Sequence, residues 1–235
     1  MTVMQQGWAA GFRAGLPLTL GVAPFAVAFG LAAREAGLGP ISVGVMSLVV
    51  FAGSAQFLAV GMVQAGASAP QIWLATLFLN SRHLLMAMVL LPRLAGSRWW
   101  VRALAAHAIS DEAFAVTSRE PRAGAAFLIG AQSALALAWI GGGLVGVIVG
   151  AALPPAMAEA AGFSLIGFFV AVVALNARGL PDWGAATAGG GLALLLVGTL
   201  PRGWELLVAG TGAAAIGALL ESRSRSASRD ARAAG

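Results

Sequence analysis

Residues 71–93, QIWLATLFLNSRHLLMAMVLLPR, decide the fold: an apolar run with Asn80, Arg82 and His83 at its centre. It is long enough to cross a bilayer, which takes about 20 apolar residues. A charge at the bilayer centre costs at least ~2.5–3.5 kcal/mol on insertion scales, so a guanidinium there needs a partner or a task. The rest of the chain agrees with a membrane setting. Of 235 residues 59% are apolar and 10% charged, with 32 glycines and a mean hydropathy of +0.87; soluble domains carry roughly 25% charge. This composition specifies an all-α polytopic membrane protein. All 14 basic residues are arginines, at segment ends and in the tail. That is a topology signal rather than a nucleic-acid face, so the lipid bilayer and not nucleic acid is the expected surround. The absence of cysteine excludes disulfides, thiolate chemistry and Cys-bound metal.

Working outward, apolar segments run from Leu16 to Ala33, Ile41 to Val63, Gln71 to Leu91, Trp99 to Ser118, Ala123 to Ala152, Phe163 to Ala177, Gly184 to Leu200 and Trp204 to Leu220. The fourth carries His107, Asp111 and Glu112 in its middle. Arg93, Arg98 and Arg102 precede or open it, and Arg119 and Arg122 follow it. A simple crossing would place two basic loops on opposite faces, against the positive-inside rule. It is therefore expected to dip in and return, or to lie at the cytoplasmic face. The result is about seven transmembrane helices plus one irregular or re-entrant segment, N-terminus outside and C-terminus inside, with Arg13 arguing the other way. A crossing fourth segment would make eight spans. Residues 1–220 form one transmembrane domain, and the Ser/Arg/Ala-rich residues 221–235 are expected as a disordered cytoplasmic tail. Met1 to Ala14 lacks the features of a cleaved signal peptide. Gly21 to Gly37 and Gly146 to Gly162 share a spacing at the ends of spans, which suggests an inverted repeat as in many secondary transporters.

Several polar groups could carry chemistry. In Phe51-Ala52-Gly53-Ser54-Ala55-Gln56-Phe57, small residues allow close helix packing with Gln56 as interhelical glue. Equally, the stretch could break the helix and line a cavity with freed backbone groups. Arg82 suits a carboxylate through its fork of five donors, or pairs with Asp111 or Glu112; both can hold if a substrate carboxylate competes for the pair. His83 titrates near neutral pH when unperturbed, yet a lone histidine is more often structural. His107 and Asp111, four apart, would share a face of a continuous helix, with Glu112 pointing elsewhere. They could take up a proton or hold an ammonium, or belong to the solvated face of an interfacial helix. The stripes Gly7, Gly11, Gly15 and Gly142, Gly146, Gly150 read as helix-packing surfaces. Signatures of hydrolases, zinc enzymes and nucleotide loops are absent, so neither catalysis nor a cofactor is expected.

Arg13-Ala14-Gly15-Leu16-Pro17, then Gly21, Pro24-Phe25, Phe29-Gly30 and Gly37, resemble the opening of the AzlC-type branched-chain amino acid permease large subunits, the azaleucine-resistance family. Met46-Ser47, Phe51-Ala52-Gly53 through Gln56-Phe57, Asn80 with Arg82-His83, Leu91-Pro92, and Asp111-Glu112 with Phe114-Ala115 continue the likeness in order. It covers roughly residues 10–180; the last two spans are generic. The resemblance implies a multi-pass protein of the bacterial inner membrane that exports branched-chain amino acids, and often methionine. It also implies a small hydrophobic partner subunit of AzlD type and an ion gradient as driving force. Combined with the residues, it suggests a substrate site of Phe51, Gly53, Gln56, Phe57, Asn80 and Arg82, with His83, Asp111 and Glu112 coupling protons. A non-transporting scaffold subunit and a passive channel are the alternative readings.

Overall fold

The computed structural model describes residues 3–154, 170, 173–174, 177, 179–200 and 204–233. Its described elements are all helical. They are α1 (Val3–Glu35), α2 (Pro40–Val49), α3 (Gly53–Gln64), α4 (Ala69–Asn80), α5 (Arg82–Leu90), a 3-10 turn (Leu91–Leu94), α6 (Trp99–His107), α7 (Asp111–Arg119), α8 (Ala125–Ala152), α9 (Leu180–Leu196) and α10 (Trp204–Ala233). The chain divides into two compact units, residues 1–61 with 76–162, and residues 62–75 with 163–235. The expected span Phe163–Ala177 lies, apart from isolated positions, outside the described residues.

The first unit is built on α1 and α8, and the glycine stripes explain why. A methyl group on Gly11 would strike the Phe127 carbonyl, one on Gly130 the Trp8 carbonyl, and one on Gly146 the Val27 carbonyl. The backbones therefore touch at both ends of the pair, as small-residue stripes allow when no water drives association. Gly15 lies against Ala131, Gly142 against Ala26 and Gly150 against Arg34. Both residue numbers rise together, so α1 and α8 run parallel.

That direction fixes the rest of the path. Helices α6 and α7 have nine residues each, about 13 Å at 1.5 Å per residue, less than half of a ~30 Å hydrocarbon core. Their outer ends are tied together: Arg93 Nη1 donates to the Thr117 and Glu120 carbonyls at 2.7 and 3.2 Å, and Arg93 Nη2 to the Ser118 carbonyl at 3.4 Å. The chain thus goes in along α6 and comes back along α7 to the face it left. Its inner side packs on α5 and α8 through Leu90, Val101, Ala105, Ile109, Ala113 and Leu128. For α8 to start at the face where α1 starts, one of the two remaining segments must cross and the other must return. Ala69–Leu94 is a 26-residue apolar run long enough to cross, as are Gly7–Glu35 and Ala125–Ala152. Hence α2–α3 is a second hairpin, entering from the opposite face. Its geometry agrees: Gln56 on α3 reaches back to the Met46 and Val50 carbonyls, 3.1 Å from each.

These findings correct the expected topology. Among the described residues three helices are long and apolar enough to span, and Ile41–Val63, whose length and composition read as a crossing, is broken at Val50–Ala52 into α2 and α3. The fourth segment returns, as its arginines required. The inverted relation does not join the halves aligned on Gly21 and Gly146, because α1 and α8 are parallel. Arg13, Arg93, Arg98, Arg119 and Arg122 then share one face, with Arg34 at the other. By the positive-inside rule the first face is the one expected in the cytoplasm.

In the second unit α9 and α10 pair antiparallel, with Gly189 against Ala213 and Gly217 against Ala185. Helix α10 continues to Ala233 through the segment expected as a disordered tail. No Gly or Pro interrupts residues 218–233, and Ala and Arg are good helix formers.

Candidate functional site

Three interruptions meet inside the first unit. The first hairpin turns at Val50-Phe51-Ala52, the crossing helix tightens at Ser81, and the second hairpin turns at Ala108-Ile109-Ser110. Each is followed by the start of a helix, and the first residues of those helices face one another. Arg82, opening α5, donates from Nη2 to Ser54 Oγ of α3 at 2.6 Å and lies 2.8 Å from Asp111 Oδ2 at the start of α7. His107 Nε2, at the end of α6, is 3.0 Å from the Leu48 carbonyl of α2, so the two tips also touch directly.

The tips are held by different means. In the first hairpin, Gln56 is completely buried. Its Nε2 donates to the Met46 and Val50 carbonyls, which also accept the backbone N–H groups of Val50 and Ala52, so the glutamine adds a second bond to each carbonyl at the end of α2. Its Oε1 accepts from Trp139 Nε1 at 2.7 Å. The Trp139 ring also stacks on Phe29, and Phe57 meets both rings edge-on. Gly53 sits beneath that indole, where a Cβ would come within 2.7 Å of it. In the second hairpin, Ser110 caps α7 by accepting from the Ala113 N–H at 3.2 Å and donates to Gln132 Oε1 on α8 at 2.8 Å. Asp111 and Glu112 occupy the first turn of α7, where carboxylates suit the helix dipole.

The ion pair is open. The Arg82 and Asp111 side chains are 36% and 44% exposed. Arg82 Nε and Asn80 Oδ1, either side of Ser81, are buried with no hydrogen-bond partner. The structure therefore brings Ser54, Arg82 and Asp111 together, with Gly53, Gln56 and Phe57 in the packing around Trp139. Phe51 lies in the first turn, and Asn80 and His83 flank the break in the crossing helix. Glu112 is exposed and lies beside Asp111 in sequence only. His107 and Asp111 do not share a helix face, because Ala108–Ser110 separates them onto two helices.

Sequence reasoning missed Ser54, Ser110, Gln132 and Trp139. Ser110-Asp111-Glu112 is a helix-start signature, a capping serine before acids of the first turn, and could have revealed the break. Trp139 lies at mid-span, away from the interfaces where tryptophan usually sits, and its indole N–H needed a partner.

The family model described as AzlC protein matches residues 17–153, which include both hairpins and the crossing helix between them. The chain belongs to the AzlC family. An uncharacterized membrane protein of Archaeoglobus fulgidus is 29% identical over 216 residues, 83% of this chain and 95% of that protein. The inner membrane protein YgaZ of Escherichia coli (strain K12) is 30% identical over 175 residues, 68% of this chain and 69% of that one. A membrane protein of Helicobacter pylori is 34% identical over 109 residues, 45% of this chain and 47% of its own length. No solved structure matches.

Proposed function

We propose that the chain is the large subunit of a secondary exporter of branched-chain amino acids, methionine among them, in the bacterial inner membrane. It works with a small hydrophobic subunit of AzlD type and is driven by protons. Membership of the AzlC family and likeness to an inner membrane protein support the transport class and the location. The observation that carries the chemistry is the half-exposed Arg82–Asp111 pair where three helix breaks meet. Charges at mid-depth avoid hydrocarbon, so the open side of the pair belongs to a water-filled route or to a protein neighbour.

Arg82 meets Asp111 through Nη2, and its Nε has no hydrogen-bond partner. A substrate carboxylate could engage Nε and Nη2 together, the bidentate geometry that guanidinium favours. It would displace Asp111, which could then hold the substrate ammonium or accept a proton. Asn80 Oδ1 offers a further acceptor, and Phe51 and Phe57 an apolar wall for the aliphatic side chain. The first helical amides after Gly53 add partial positive charge. Coupling then requires the inward- and outward-open states to differ in proton affinity at Asp111, with His83 and Glu112 as further proton carriers.

The test is counterflow of labelled leucine in proteoliposomes, with and without the partner subunit. Saturable, proton-dependent uptake by the wild type and none by Arg82→Ala supports the proposal. No counterflow in either preparation makes the chain a scaffold, and unsaturable flux makes it a channel.

A further inference from the structure

The two hairpins come from opposite faces and end on the same guanidinium nitrogen. Along α8 the anchors of their tips, Trp139 for the first and Gln132 for the second, are seven residues apart, about 10 Å. Arg82 closes that gap, reaching Ser54 on one side and Asp111 on the other, and the His107 contact to the Leu48 carbonyl shuts it a second time. A solute from either face therefore meets a hairpin before it can pass Arg82, whose pair with Asp111 stays partly exposed.

We propose that the hairpins are two separate gates on one route past Arg82, each sealed by its own bond to Nη2. Ser54, which no sequence motif singled out as a ligand, is the working residue of the gate on the face where α1 ends. Asp111 is its counterpart on the face of Arg93 and Glu120. The shared nitrogen explains how one gate can open while the other holds: a guanidinium NH2 has two hydrogens, and withdrawal of one hairpin leaves the bond to the other intact. A carboxylate arriving from one face replaces the oxygen of that face and inherits its hydrogen, so occupancy and opening are linked at a single atom. This inference rests on the proposed transport reading for its solute, but not for its test.

The chain has no cysteine, so a single introduced thiol reports accessibility. Ala52 and Ala108 are buried within the two turns, at 8% and 4% exposure. Ala52→Cys and Ala108→Cys are each combined with Ser54→Ala or Asp111→Asn in full-length protein. They are then labelled with a membrane-impermeant maleimide in right-side-out and in inverted vesicles. Ser54→Ala should speed labelling of Ala52→Cys at least tenfold from the face where α1 ends and leave the other face unchanged. Asp111→Asn should do the same for Ala108→Cys from the opposite face only. Ser54→Thr, which keeps the hydroxyl, should return Ala52→Cys to slow labelling. Acceleration from both faces, which is also what a misfolded variant gives, overturns the proposal, as does acceleration from the wrong face or none. Sided labelling without leucine counterflow keeps the gates and rejects the amino-acid reading. Counterflow without sided labelling rejects the gates alone.

Discussion

The first hairpin is uncharged and apolar from Pro40 to Gln64, and one buried glutamine holds its turn. The second is framed by arginines, carries two acids at its tip, and is held by a serine cap inside and an arginine clamp outside. Both solve the same problem, a chain reversal in a medium that offers no water to free backbone groups. The first does it with one side chain that bonds two carbonyls and an indole; the second spreads the work over Ser110, Gln132 and Arg93. A concentrated solution should fail abruptly and a distributed one gradually.

The largest expected effect lies where the hairpins meet. Arg82→Ala should leave both tips without their shared partner and remove leucine counterflow to background, while the protein still reaches the membrane. Asp111→Asn should do the same to transport. Next comes Gln56→Leu, which strands the buried Trp139 N–H and removes the second bond at the Met46 and Val50 carbonyls; the cost of a buried unpaired donor predicts a loss of roughly 1–3 kcal/mol, read as lower thermal stability in detergent. Ser110→Ala removes one cap and should cost about 1 kcal/mol. Arg93→Gln withdraws the charge from the last carbonyls of α7, a helix-terminus effect of about 0.3–1 kcal/mol. If Ser110→Ala destabilises as much as Gln56→Leu, the contrast between the hairpins is wrong. If Arg93→Gln costs more than either, the outer clamp rather than the turn holds the second hairpin.

The same contrast explains what the sequence made legible. The second hairpin announces itself, because Arg93 and Arg98 before it and Arg119 and Arg122 after it cannot sit on opposite faces. The first is silent: Ile41–Val63 has the length and composition of a span, and hydropathy measures neither direction nor a turn at Val50–Ala52. Its turn is pinned by Gln56 reaching back to the Met46 and Val50 carbonyls, tertiary bonds that leave no periodic trace in the sequence. Arg82 and Asp111 were legible because charge is conspicuous in such a chain, and their pairing followed from scarcity of partners. Ser54 was not, since a serine among Gly53 and Ala55 reads equally well as a packing residue. The glycine stripes announced a helix contact, but not that Gly11 meets Phe127 and Gly146 meets Val27 in parallel, the relation on which the whole topology turns.

The central claim is that the hairpins enter from opposite faces, and sided thiol labelling of the four segment ends tests it most directly. Single cysteines at Ala95 and Glu120 flank the second hairpin, and at Glu35 and Ser68 the first; all four positions are exposed. The account predicts that Ala95→Cys and Glu120→Cys react with an impermeant reagent from the cytoplasmic face alone, and Glu35→Cys and Ser68→Cys from the other face alone. Reaction of Glu35→Cys and Ser68→Cys from different faces would make α2–α3 a crossing and contradict it.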